Sequence, residues 1–205
     1  MKKEKFNILI DGLPSVGKTS FFRRITVNEY DANYINTLPI KDETQIKLLN
    51  GHQLKYTLYD ISKNEAYLFR RKFHKERIIL QILMYDITNI QSFVEVDKLL
   101  IELMEGRNKS DNIIIYIVGN KIDLEKERKV HKEEINCYCR YKNIKHFECS
   151  VLTGYNVHEI MNSFIRDISN IESNNEIINK DEMFILSDNI TKGNINDGYY
   201  YCILF

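Results

Sequence analysis

The sequence contains no tryptophan, only two prolines and no excess of either charge: Lys plus Arg and Asp plus Glu each number 29 in 205 residues. A balanced charge supplies no broad basic field, so nucleic acid is not an expected partner. No run approaches ~18 apolar residues, so no segment is expected to span a bilayer. The opening stretch MKKEKFNILIDG has basic residues but only a short apolar run, which does not fit a signal peptide. The four cysteines, Cys137, Cys139, Cys149 and Cys202, include no C-x-x-C pair. Cys137 and Cys139 alone cannot complete a tetrahedral metal site, so free thiols in a reducing cytosol are expected. The histidines (His52, His74, His131, His146 and His158) are scattered without ligand spacing, and no internal repeat is present.

What is present suits one globular domain followed by a tail. Hydrophobic residues make up 43% of the chain, and Tyr plus Phe total 23, read mainly as packing residues. Apolar runs of strand length alternate with stretches of helical period. Strands are expected at 6–12, 43–49, 54–60, 78–86, 113–119 and 144–150. The second and third flank Asn50-Gly51, which suits a type I′ hairpin turn. Helices are expected from Lys18, with Phe21, Phe22 and Ile25 on one face, and over 92–104, 131–141 and 156–168. Alternation of this kind implies an α/β fold: a six-stranded, mostly parallel sheet with one antiparallel edge strand and helices on both faces. After about residue 170 the composition shifts to Asn, Ile and Asp without sustained period, as in a flexible tail.

Between the first strand and first helix lies Gly12-Leu-Pro-Ser-Val-Gly17-Lys18-Thr19, the G-x-x-x-x-G-K-[ST] phosphate loop in its proper setting. Glycines let the backbone wrap close to phosphates, successive N–H groups aim at the oxygens, and the helix N-terminus adds favourable partial charge. Ser15, Val16, Gly17, Lys18, Thr19 and Ser20 are therefore candidate nucleotide contacts. Lys18 is expected on the β- and γ-phosphates, as a catalytic group, and the Thr19 hydroxyl on Mg²⁺.

A second motif, Gly119-Asn120-Lys121-Ile122-Asp123, follows an apolar strand. The Asp123 carboxylate can accept from guanine N1–H and its exocyclic amine, donors that adenine does not present. Asn120 would tie this loop to the phosphate cradle, with the Lys121 stem along the base face. This N-K-x-D pattern and the lack of an arginine-rich lid disfavour an ATP-using P-loop kinase.

The order GLPSVGKTS, NTLPI, LYDISKNE, YDITNIQSF, GNKID and ECSVLTG resembles, over about residues 5–168, the sequence blocks of Rab-type small GTPases of the Ras superfamily. The resemblance implies a small G domain over 1–170 that binds GTP or GDP with Mg²⁺. By position, Thr37 matches the first-switch threonine that ligates Mg²⁺ and senses the γ-phosphate. Tyr30 falls where an aromatic edge packs on the base, and Tyr34 where one covers the phosphates. Asp60 matches the aspartate that holds Mg²⁺ through water, and Ser150-Val151-Leu152 the third base-contacting loop. Effector and exchange proteins acting through the switch regions, and a monomeric protein, are likewise implied.

Several departures bear on chemistry. Where the family has D-T-A-G-Q-E, this chain has Asp60-Ile-Ser-Lys63-Asn64-Glu65. Lys63 replaces the glycine whose N–H meets the γ-phosphate, and a Cβ restricts the positive φ that glycine allows. Asn64, the degenerate water-positioning residue, is one methylene shorter than the family's glutamine, so slow or undetectable hydrolysis is expected. Pro14 occupies a loop position facing the γ-phosphate, where its ring would obstruct an arginine supplied by an activating protein. Pro39 biases Leu38 toward extended geometry. The family's S-A-K is S-V-L here: the Val151 N–H is expected to reach the guanine oxygen while its branched side chain crowds the approach, and Leu152 keeps only an apolar stem.

The final Cys202-Ile-Leu-Phe205 is a C-a-a-X pattern whose last residue favours geranylgeranyl. From 171 onward two bases face six acids, a net charge of −4 that lacks a polybasic second signal. Reversible prenyl attachment to the cytosolic face of an intracellular membrane is therefore expected, little affected by salt. Two functions fit: a guanine-nucleotide switch of vesicle traffic with impaired hydrolysis, or a pseudo-GTPase binding module held in one nucleotide state.

Overall fold

A strand that is apolar at nearly every position must bury both of its faces, and a parallel sheet covered on each side is the arrangement that does so. The computed structural model, which describes residues 4–26, 40–49, 52–60, 78–105 and 113–175, has this sheet. Among the described residues six strands form it: β1 (Glu4–Asp11), β2 (Ile40–Leu49), β3 (His52–Asp60), β4 (Ile78–Asp86), β5 (Ile114–Asn120) and β6 (Lys145–Glu148). Their spatial order is β2-β3-β1-β4-β5-β6, parallel except where β2 pairs antiparallel with β3 at the edge. Pairing of Leu49 with His52 leaves residues 50 and 51 as the connection, and the expected Asn50-Gly51 turn itself lies outside the described residues.

Four helices are described: α1 (Lys18–Thr26), α2 (Ile90–Glu105), α3 (Lys132–Tyr141) and α4 (Val157–Asn175), with a 3₁₀ segment at Ile122–Glu127. Phe21, Phe22 and Ile25 form the buried face of α1, as their spacing requires, and α1 lies against β3. β4 is buried on both faces, Leu80, Ile82 and Met84 on one and Gln81, Leu83 and Tyr85 on the other. The second of these faces joins one core with Phe93, Val96, Leu99 and Leu100 of α2 and with Ile135 and Cys139 of α3. Burial of that many apolar side chains, at ~1.5–3 kcal/mol each, is what holds the sheet rigid enough to present its loops.

Most boundaries shift by a few residues from the sequence reading, and two of the shifts bear on the site and the tail. β6 ends at Glu148 rather than Ser150, because Cys149 is the last residue to bond across to β5 and the next peptides turn away into a loop. The last helix runs to Asn175, so residues 171–175 of the expected tail are helical; Ile171 stands three residues after Ile168 and continues the apolar spacing. The chain divides into two units, Met1–Met161 and Asn162–Phe205, the second described as far as Asn175. Among the described residues Cys137, Cys139 and Cys149 are free, and burial pushes the Cys139 thiol up to about 12, so it is inert at neutral pH.

Candidate functional site

Among the described residues, each candidate motif leaves from the carboxyl end of a parallel strand, the edge at which open α/β sheets bind ligands. β1 ends in the loop 12–17, and β3 ends at Asp60, which pairs in register with Ile10 of β1. β4 ends at Asp86, directly beside Asn120 at the end of β5, and β6 leads into Ser150. Motifs far apart in sequence are thereby brought to one edge.

The phosphate loop is shaped by its glycines. Gly12 has φ +142°, and a Cβ there would come within 2.3 Å of the Met84 carbonyl oxygen. Gly17 has φ +100°, and its Cβ would meet Asn120 Nδ2 at 2.3 Å. Neither position tolerates a side chain in conformation or in space. The Gly12 N–H donates to Asp11 Oδ1 at 2.8 Å, and the Phe21 N–H to the Gly17 carbonyl at 2.8 Å, which starts α1. Lys18 Nζ lies across the loop, donating to the carbonyls of Gly12 and Leu13 at 2.9 Å each. Thr19 is buried at the helix start, while Pro14 and Ser15 are exposed at the loop tip. The hydroxyl of Thr19 is a hard oxygen donor, and β3 ends at this edge with an aspartate in its sequence, residue types whose chemistry fits Mg²⁺.

At the other end, Asn120 joins three segments. Its Nδ2 donates to the Val16 carbonyl at 2.8 Å, and its Oδ1 accepts the Val151 N–H at 3.0 Å. Ser150 Oγ donates to Asp123 Oδ1 at 2.5 Å and accepts the Thr153 N–H at 3.1 Å. Ser150 thus meets Asp123, and Asn120 is bonded to the residue that follows Ser150. The Val151 N–H donates to the Asn120 amide, which offers both a donor and an acceptor between the loops, and one expectation for this residue is corrected. Its side chain is 1% exposed, turned into the interior, so it does not crowd the open side. Leu152, at 49% exposed, is the apolar residue at the rim.

The sequence reading missed two supporting groups. Lys121, in the left-handed region at φ 70°, forms an ion pair with Asp86 Oδ2 at 2.6 Å. Asp86 Oδ1 accepts from the Thr88 N–H at 2.8 Å and its hydroxyl at 2.7 Å. Burial raises the Asp86 carboxyl, but the bonds from Lys121 and Thr88 outweigh it and hold the group below the usual carboxylate range. Its signal was present: a carboxylate closing an apolar run. The second group is Arg128, which forks onto Glu148 at 2.7 and 3.1 Å and onto Glu125 at 2.8 and 2.7 Å. It staples the strand leading into Ser150 to the segment carrying Asp123. Behind them, Tyr85 Oη donates to His146 Nε2 at 2.9 Å, and His146 Nδ1 donates to Asn136 Oδ1 at 2.7 Å. Tyr30, Tyr34, Thr37, Lys63, Asn64 and Cys202 lie outside the described residues.

Comparison with known proteins agrees with this geometry. A family model described as the Ras family matches residues 7–170. The chain is 31% identical over 163 residues to "Ras-related protein Rab-13" of Mesocricetus auratus, covering 80% of this chain and 79% of that protein. It is 29% identical over 172 residues to "GTP-binding protein ypt3" of Schizosaccharomyces pombe, covering 84% and 79%. To "Ras-related protein YPTC6" of Chlamydomonas reinhardtii it is 27% identical over 176 residues, covering 86% and 81%.

Proposed function

The chain belongs to the Ras family as a Rab-like small GTPase, and from that premise we propose that it is a GTP-binding switch of membrane traffic whose own hydrolysis is impaired. The observation that carries the reading is Asn120, one side chain bonded to the phosphate loop through Val16 and to the third base loop through Val151. Such a tie makes one site of two halves, phosphates over 12–19 and guanine against Asp123. Lys18 exchanges its loop carbonyls for β- and γ-phosphate oxygens, and the Lys121 stem, held by Asp86, lies along the base. Thr19 and Thr37, with Asp60 through water, would hold Mg²⁺, which when bound neutralises charge on the phosphates.

Hydrolysis moves the γ-phosphoryl group to water and yields GDP and phosphate. Asn64 is the residue that would orient this water, and its amide falls short by roughly 1 Å, a displacement that can cost about 10²-fold in rate. Lys63 beside it narrows the conformations open to the second switch. The same two residues support a second reading, a binding module held in one nucleotide state. We assign the G domain to 1–170 and a tail to 171–205, with Cys202 prenylated and the protein a monomer reversibly attached to a cytosolic membrane face. Effector and exchange proteins engage its switch regions. The acidic tail supports attachment that salt barely weakens.

The test is to load the purified protein with GTP and Mg²⁺ and identify the bound nucleotide over hours. GTP retained intact supports impaired hydrolysis, and conversion at the rate of ordinary family members refutes it. Retention of neither nucleotide refutes the binding assignment itself. Bound GDP that fails to exchange for excess GTP favours the locked module over the switch.

A further inference from the structure

β6 closes the sheet, and among the described residues no strand pairs beyond it. A cavity of about 460 Å³ is lined by His146, Phe147 and Glu148 together. Successive residues of a strand point to opposite faces, so a space that touches all three lies beside the strand rather than over either face. A second cavity, of about 310 Å³, shares Asn136 and His146 with the first, and the two form one groove along this edge. The opposite wall is α3, which contributes Lys132, Asn136 and Arg140, every fourth residue of one helix face.

The backbone of this edge is open over a short stretch. The Cys149 N–H donates inward to the Gly119 carbonyl at 2.8 Å, so by alternation residues 145 and 147 face β5 while His146 and Glu148 face outward. The Ile144 N–H donates to the Cys139 carbonyl at 2.9 Å, and the Glu148 carbonyl accepts from Asn156 Nδ2 at 2.8 Å. Between these two closures the His146 N–H and carbonyl and the Glu148 N–H point off the sheet. The charge left over beside them is basic. Arg128 spends all its donors on Glu125, Glu148 and the Val130 carbonyl, so both carboxylates of the groove are engaged. Lys132, its side chain 54% exposed, reaches Glu148 only at 3.6 Å. Arg140 is exposed, with Nε on the Asn136 carbonyl of its own helix at 3.2 Å. From Lys132 to Arg140 is about 12 Å along a helix, and four residues of extended chain cover about 13 Å.

We propose that this groove docks an extended acidic segment of a partner protein, which adds to β6 as a further strand. Its backbone bonds His146 and Glu148, and two carboxylates four residues apart on one side meet Lys132 and Arg140. Apolar side chains on its other side meet Phe147 and the exposed Tyr155. The proposal stands apart from the nucleotide reading, since it uses the edge of the sheet opposite β2.

The experiment uses the full-length protein and two probes, the peptides acetyl-Glu-Val-Thr-Val-Glu-amide and acetyl-Lys-Val-Thr-Val-Lys-amide. Amide hydrogen exchange at His146 and Glu148 is read without peptide and then at rising peptide concentration. The glutamate peptide should slow both amides about tenfold at saturation and should bind about tenfold more tightly than the lysine peptide. K132E combined with R140E should reverse that preference. K132Q combined with R140Q should abolish it, and carries the comparison should the first pair not fold. Equal binding of the two peptides by wild type, no slowing at His146, or a preference that survives in the variants overturns the proposal. Protection of the His146 amide before peptide is added also overturns it. Protection that rises with protein concentration assigns the groove to a second copy, and protection independent of concentration assigns it to the chain itself.

Discussion

The two halves of the site are made from different materials. The phosphate half is backbone: glycines at positive φ, a helix start and one lysine lying on carbonyls. The base half is a set of side-chain ties, Asn120 to Val16 and Val151, Ser150 to Asp123, Lys121 to Asp86 and Arg128 to two glutamates. Backbone construction has few points of failure, but each is absolute, because no side chain fits where a main chain already passes. Side-chain construction can be loosened in steps. A sequence can thus diverge at the base end, as S-V-L does here, while the phosphate loop keeps its pattern.

The contrast is tested most severely by Gly12→Ala. Strain at φ +142° and overlap with the Met84 carbonyl should together cost about 5 kcal/mol, read as a fall in thermal unfolding temperature. A loss of under about 1 kcal/mol would mean that the loop bends easily and the contrast is false. Asn120→Ala comes next. It strands the Val16 carbonyl and the Val151 N–H in a buried setting, for a loss of about 4 kcal/mol and faster nucleotide release.

Acid should then separate the halves. Burial lowers His146 from 6.5 to about 4, so the unfolded chain takes up a proton before the folded one does. The stability this histidine supports is present above about pH 6.5 and falls by about 3 kcal/mol as pH drops to 4. Hydrogen exchange should show residues 145–151 loosening before 12–19, and H146Q, whose amide can still accept from Tyr85, should flatten the profile. The smallest effect is at Gln81, whose buried Nε2 has no hydrogen-bond partner among the described residues. Gln81→Met removes that polar atom at similar volume and should raise stability by about 1 kcal/mol without altering either half, as measured by denaturant midpoint.

Which parts were legible in sequence follows the same division. Buried parallel strands are continuous apolar runs, so β1, β4 and β5 announce themselves, and the hairpin follows from Asn50-Gly51 and its flanks. The phosphate loop is legible because all its parts are adjacent in the chain. The ties of the base half are not: Arg24 meets Val151 across 127 positions, and Arg128 meets Glu148 across 20. Only the sheet order decides such meetings. The inward turn of the Val151 side chain was hidden for a related reason, since the path after Ser150 depends on an amide donated from another strand.

The turn at the far end of β6 has a practical use. Asn143, exposed and at φ 53°, links α3 to the start of β6, while the site leaves from that strand's other end. A strand of 4 residues separates them, roughly 13 Å at the usual rise. A fluorophore or a short inserted reporter placed at Asn143 would sit on solvent, clear of the nucleotide edge, yet on the strand whose end carries the base loop. That makes this turn a natural place from which to report on the base loop in solution.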